Sequence, residues 1–163
     1  RELEKLNFYF YEHPMPEYRV SAYEKLCREL DIPILSPEIA AGSLYTRADW
    51  IHRGASDMSR IDVLRGGITG VRKMVAVCEA YGVRCELHMS GFANLQMLGS
   101  TSEDVCGYYE RGLLAPGVDD ETPPPYLEAI CDPLDSEGYV HVPQEPGLGY
   151  RIVWGYIEEH RIR

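Results

Sequence analysis

No stretch of this chain is apolar for long enough to cross a bilayer. The longest such run, residues 74–78, falls far short of the about 20 residues a helical span needs. The five cysteines (Cys27, Cys78, Cys85, Cys106 and Cys131) are odd in number and form no CxxC pair. That excludes a zinc ribbon and a disulfide scaffold, and predicts reduced thiols in a cytoplasmic protein. Ser36 and Ser90 lack a Gly-x-Ser-x-Gly elbow, so a serine hydrolase is excluded. No glycine-rich phosphate loop is present, Gly66-Gly67 being too short to cradle a phosphate. His13, His52 and His141 show no metal-ligand spacing among themselves. Positive charge is also scarce: 26 acids against 16 Lys and Arg leave a net charge of −10, which argues against nucleic-acid binding. There is no initiator Met and no signal-peptide pattern at Arg1. Residues 1–6 read as the last turns of a helix already under way, so the chain reads as a piece of something longer.

What remains is ordinary globular material: 163 residues, 45% hydrophobic and 26% charged. Apolar patterning predicts an alternation of strands and helices. Strands are expected at residues 8–11, 32–35, 60–64, 83–87 and 105–110. Helices are expected at residues 17–30, from Thr46 to near Gly54, through the stripe Ile68, Val71, Val75 and Cys78 up to Gly82, and at residues 92–98. Thr46 with Asp49 resembles a capping box, and Gly82 a helix stop. This spacing, a unit roughly every 25 residues, points to a parallel sheet with helices outside it. Trp50, Trp154 and most of the twelve Tyr are expected to serve packing. Beyond residue 115 the pattern breaks. Residues 116–163, with Pro123-Pro124-Pro125 and the alternating Tyr139-Val140-His141-Val142, are expected to form a small turn-rich region lying on the main body, residues 1–115.

Polar residues recur where these strands end: Glu12, Glu38, Asp62, His88 and Glu110. In a parallel barrel such ends converge on one face, where active sites are built. Four carboxylates there would repel one another without a cation among them, and Mg²⁺ prefers carboxylate and water oxygens. Each residue also has a plainer reading. Glu12 and Glu38 serve equally as loop residues or helix caps. His88 serves as a hydrogen-bonded structural histidine, and Glu110 as a partner of Arg111. Asp62 serves as a buried partner of Arg60 or Arg65. The even recurrence of the set favours the functional reading.

The same residues resemble the enolase superfamily, in its mandelate racemase branch. Tyr11-Glu12-His13-Pro14 is similar to that family's Glu-x-Pro strand end. Ile32-Pro33-Ile34 leading to Glu38 resembles its next metal-bearing strand, and Gly66-Gly67-Ile68-Thr69-Gly70 its Gly-Gly-Ile-Thr turn. Residues 82–88 resemble the strand that presents the catalytic histidine. Glu110-Arg111 and Pro146-Gly147-Leu148-Gly149 resemble the last barrel strand and the C-terminal return. The resemblance implies strands four to eight of a (β/α)₈ barrel. A whole barrel takes about 250 residues, so the capping domain and the first three strands would lie outside this chain, with a Lys acid/base and the first metal carboxylate. A piece of this kind is expected to be inactive alone.

The resemblance further implies Mg²⁺ held by Glu12 and Glu38, His88 as general base or acid, Asp62 orienting it, and Glu110 bonding the substrate carboxylate. His13, Arg65 and Tyr45 are candidates for contacting substrate hydroxyls. Two departures stand out: three residues separate Asp62 from Gly66 where the family commonly has four, and residue 13 is His where an acid or Gln is usual. The implied reaction is dehydration of a sugar acid, a lyase reaction begun by removing the proton α to a carboxylate through a metal-stabilised enediolate. Cycloisomerisation, epimerisation or racemisation is the alternative among enzymes, and a non-catalytic α/β binding domain the alternative outside them. The expected partner is a small sugar acid, without nucleic acid or membrane, in a homo-oligomer when the protein is complete.

Overall fold

A computed structural model describes residues 1–40, 43–89, 91, 93–111 and 121–162. Four parallel strands form one sheet in the order β1 (Tyr11–Glu12), β2 (Ile34–Leu35), β3 (Met58–Ile61), β4 (Arg84–Leu87). The helices are α1 (Glu2–Lys5), α2 (Val20–Glu29), α3 (Ser43–His52), α4 (Val63–Tyr81), α5 (Asn94–Gly99) and α6 (Trp154–Glu159). Each strand pairs with the next in sequence, and α2, α3 and α4 connect them. This is the expected parallel α/β arrangement, an arc of a (β/α)₈ barrel. No helix among the described residues is long and apolar enough to cross a membrane.

Alternation along the strands separates two faces. Ile61 on β3 and Cys85 and Leu87 on β4 pack outward on Val71, Met74 and Cys78 of α4. Ile34 on β2 packs with Tyr23 of α2 and Trp50 of α3, whose rings lie 4.7 Å apart. The residues between them, Arg60 on β3 and Glu86 on β4, face the other way and are paired in register. These helices form because their apolar positions recur on one side, and burying that side is the main driving force for docking them.

Several boundaries differ from those predicted. The third strand ends at Ile61 rather than at residue 64, because Asp62 caps α4: its side chain accepts from the Leu64 N–H at 2.8 Å. α4 makes one turn and then kinks at Gly67, whose φ of 64° and ψ of 169° belong to a region open to glycine. It stops at Gly82 in the left-handed conformation, as expected. α3 begins at Ser43, ahead of the expected Thr46 start. Residues 105–110, expected as a strand, form no ladder. Cys85 N–H reaches Val105 C=O at 2.8 Å, but the N–H groups of Val105 and Cys106 turn back to Ser102 C=O, both at 3.0 Å, and are lost to pairing. Residue 92, the expected start of a helix, and the expected boundary at 115/116 lie outside the described residues, as does Ser90.

The C-terminal region carries two isolated antiparallel bridges, Leu127 with Ile152 and Leu134 with Val140, and the helix α6, which the sequence pattern did not announce. It reaches the main body through Tyr109, whose hydroxyl donates to Asp132 at 2.8 Å, and through Gln96, whose amide donates to Leu148 C=O. Trp154, expected to pack, is 63% exposed on α6.

Candidate active site

The inward-facing positions deliver the site. Asp62 and His88 lie two residues beyond Arg60 and Glu86 and therefore share their face. His88 N–H donates to Ile61 C=O at 2.8 Å, which continues the β3–β4 pairing past the assigned strands. His13 N–H does the same to Leu35 C=O at 3.2 Å, so Glu12 and His13 sit at the corresponding end of β1. All these strands are parallel, so the ends that carry these residues lie together.

His88 is held between two carboxylates. Its Nδ1 lies 3.6 Å from Asp62 Oδ2 and its Nε2 lies 3.3 Å from Glu38 Oε1. The Asp62 contact is an ion-pair distance rather than a short hydrogen bond. His13 Nδ1 approaches Glu38 Oε2 at 3.2 Å and Glu17 Oε1 at 3.8 Å. Arg65 stands at 3.9 Å from both Glu38 and Asp62, with its side chain 40% exposed. A second group joins through Arg60, whose Nε lies 2.6 Å from Glu12 Oε1 and whose Nη2 donates to Glu110. Glu110 also accepts from the Met89 N–H at 2.8 Å. Seven of the eight sequence-selected residues are thus brought into two adjoining groups. Tyr45 is the exception: it is 82% exposed on α3 and makes no hydrogen bond to either group.

Four residues that the sequence reading did not select hold this arrangement in place. Asn94 Oδ1 accepts from the Val63 N–H at 3.2 Å, and its Nδ2 donates to His88 C=O at 2.9 Å, so one buried amide ties the ends of β3 and β4 together. Glu17, 6% exposed, accepts from the backbone N–H groups of Glu38 and Ala40. Arg47, 2% exposed, donates to the carbonyls of Arg60 at 2.8 Å and Glu38 at 2.8 Å. Arg60 was weighed only as a partner of Asp62, but its guanidinium goes to Glu12 and Glu110. The signal for Arg60 was its place two residues before Asp62 on a strand. Nothing local marks Asn94, Glu17 or Arg47.

Burial pushes the Glu12 carboxyl above its ordinary range; Arg60 opposes this, and Glu110 and Glu38 add to it. Burial does the same to Glu86, opposed by Arg84 and Arg60. In both, the loss of water outweighs the nearby arginines. Among the described residues no three histidine, cysteine or carboxylate side chains stand where they could close on one ion. What the chain offers is a pair of carboxylates, Glu12 and Glu38, on neighbouring strand ends. A hard divalent cation that takes one or two carboxylates and completes its shell with water or substrate fits that donor set. The cysteines take no part. Cys78, Cys85 and Cys106 are buried among the helix-facing core, and burial pushes the Cys27 thiol up to about 12 and that of Cys131 up to about 11.

Comparison with known proteins accords with this geometry. A family model, enolase C-terminal domain-like, matches residues 1–155. The chain belongs to that family. Its solved neighbours include a D-glucarate dehydratase from Agrobacterium tumefaciens complexed with magnesium, 44% identical with a TM-score of 0.90, over 99% of this chain and 42% of that one. Its curated relatives include an arabinonate dehydratase from Saccharolobus solfataricus, 28% identical over all of this chain and 43% of the relative. A D-galactonate dehydratase family member from Enterococcus gallinarum is 29% identical over 93% of this chain and 37% of its own length. The chain thus spans about two fifths of the relatives it matches. This enolase-superfamily segment is a partial barrel.

Proposed function

We propose that the complete protein is a Mg²⁺-dependent sugar-acid dehydratase, with a sugar diacid as the first substrate to try. The observation that carries this reading is His88, set between Asp62 and Glu38 at the end of the sheet that also carries Glu12 and Glu110. The resemblance to a glucarate dehydratase at 44% identity supports the diacid, and the arabinonate and galactonate dehydratase relatives support sugar acids as a class.

In this reading Glu12 and Glu38 hold the cation. The bound cation supplies positive charge to the substrate carboxylate, which makes the neighbouring C–H more acidic. His88 moves the proton: it takes the one α to the carboxylate, or delivers one to the departing β-hydroxyl. Asp62 keeps the imidazole turned so that its other nitrogen faces substrate. Glu110 donates a hydrogen bond from its carboxyl group to the substrate carboxylate as negative charge builds there. Loss of the α-proton and the β-hydroxyl releases one water and leaves a 2-keto-3-deoxy acid. The partner acid/base, the first metal carboxylate and the homo-oligomer are expectations for the whole protein that rest on the family resemblance, and the cytoplasmic location rests on the odd, unpaired cysteines.

Product analysis by NMR, with the complete protein, Mg²⁺ and a panel of sugar mono- and diacids, tests this reading. Dehydration, abolished by chelator and restored by Mg²⁺, is the expected result. Epimerisation or lactone formation without loss of water would replace the dehydratase with an isomerase. No turnover of any acid would leave a binding domain.

A further inference from the structure

We propose that Arg60 is a positioning residue that fixes the Glu12 and Glu110 carboxylates as one unit for the reaction. The proposal rests on the dehydratase reading above. Arg60 is 3% exposed, the most buried cation on the inner face of the sheet, while Arg47 of α3 donates to backbone carbonyls. Its guanidinium presents two edges. Nε stands 2.6 Å from Glu12 Oε1 as an ion pair without hydrogen-bond alignment, and Nη2 donates to Glu110 Oε2. These carboxylates come from the two ends of the described arc, β1 and the segment after β4. One planar cation therefore spans the mouth from one side to the other. A lysine ammonium, a point donor on a flexible stem, could not hold both edges at once.

The remaining contacts make the clamp directional. Glu110 is gripped a second time by the Met89 N–H at 2.8 Å, from the residue that follows His88. Met89 has a φ of 64°, an unusual conformation for a residue with a side chain, so the backbone is bent here as it leaves the strand. Glu110 is thereby referenced both to Arg60 and to the histidine strand. Below the guanidinium opens a cavity of about 400 Å³ lined by Arg60, Glu86, Tyr9, Tyr108 and Glu110. Without Arg60, Glu110 would keep only the Met89 N–H and Glu12 would lose its neighbouring cation, and like charges would part the two carboxylates.

The test uses the complete protein and four variants: Arg60→Met, Arg60→Lys, Glu110→Gln, and Arg60→Met with Glu110→Gln. Arg60→Met should lower kcat by about 100-fold, with KM changed by less than about threefold. Arg60→Lys should recover no more than about a tenth of the wild-type kcat. The double variant should be no slower than the slower single variant, because Arg60 acts through Glu110. Multiplied losses of about 10⁴-fold, or a lysine variant at full kcat, would overturn the proposal. Thermal midpoints of the same four proteins give a second cycle that needs no turnover. A double variant whose midpoint falls by the sum of the single shifts counts against the clamp, and a midpoint no lower than the lower single variant supports it. If the wild-type protein turns over no sugar acid, the dehydratase reading falls, and this second cycle still decides whether the clamp exists. If Arg60→Met does not fold, Arg60→Lys carries the kinetic test.

Discussion

The two faces of the sheet are built from the same strands under opposite rules. The outward face is apolar and close-packed: Ile61 and Leu87 are 1% and 2% exposed against Val71 and Met74 of α4. The inward face, at the very next residues, holds Arg60 and Glu86, both 3% exposed, then Asp62 and His88. Arg60 and Glu86 are buried as deeply as the outer face, but the energetic meaning of burial differs. On the outer face burial is the source of stability, at roughly 25 cal/mol per Å² of apolar area. On the inner face it is a cost, because each charge loses water and must be repaid by a partner. Arg60 has two carboxylates as ion-pair partners, but its Nε, like one Glu86 oxygen, is buried without an aligned hydrogen bond among the described residues. The contrast teaches that the strands are stable because of one face and functional because of the other, so substitutions on the two faces should fail in different ways.

The largest effect should come from the inner face and leave stability alone. His88→Asn in the complete protein should lower turnover by about 10³-fold while its thermal midpoint stays within a few degrees of wild type. Solvent exchange sharpens it. If His88 is the base, deuterium uptake at the carbon α to the carboxylate stops. If it is the acid for the leaving hydroxyl, uptake persists while product formation stops. Unchanged turnover together with unchanged exchange would remove His88 from the mechanism and break the contrast.

The mirror-image change is Met74→Ala on α4. It should cost about 2–5 kcal/mol in urea unfolding, through lost transfer energy and the cavity left behind. Under native conditions the folded fraction should retain near-normal kcat. A loss of kcat with no loss of stability would show that the outer core also sets the geometry of the site. A smaller effect is expected at Gly67, where an added Cβ would meet nothing within 4 Å, yet φ is 64° and ψ is 169°. Gly67→Ala should therefore cost about 1–3 kcal/mol from backbone strain alone. A fall of the same size in a control such as an exposed helix alanine would refute that cause.

The mildest prediction concerns pH. The Glu86 carboxyl is held above its ordinary 4.5 by burial, against the pull of Arg84 and Arg60, with Tyr9 and Tyr108 also donating to it. The folded state thus keeps the proton where the unfolded state has lost it. Stability from this group is highest below pH 4.5 and declines as pH rises through the folded-state value. Glu86→Gln should remove that decline and leave the protein at least as stable as wild type at neutral pH, as read from urea midpoints across the acid range. A variant less stable at every pH would mean that the ionised carboxylate is a net stabiliser of the inner face.

Much of the architecture was legible in the order of residues, for reasons that are local. Short apolar strands, helical stripes such as Ile68, Val71, Val75 and Cys78, and the stop at Gly82 are consequences of periodicity and backbone sterics over a few residues. The recurrence of Glu12, Glu38, Asp62, His88 and Glu110 at strand ends is likewise a pattern in one dimension. Where the reading went astray, the deciding contact was either a competing short-range hydrogen bond or a partner far along the chain. The third strand stops early because the Asp62 side chain prefers to cap the Leu64 N–H. The segment after residue 104 forms no ladder at its start because the N–H groups of Val105 and Cys106 are captured by Ser102 C=O. Arg60 serves Glu12 and Glu110, partners 48 and 50 positions away, rather than Asp62 beside it. Asn94, 31 residues from Val63, fastens two strand ends that no spacing rule relates. Sequence by itself determined the alternation of β1–β4 with α2–α5 to within a few residues, and the acids and histidine at the strand ends, since both follow from short-range preferences. Tertiary structure alone decided which charge meets which, because a buried ion takes the partner that the fold places within a few ångströms, whatever its distance along the chain.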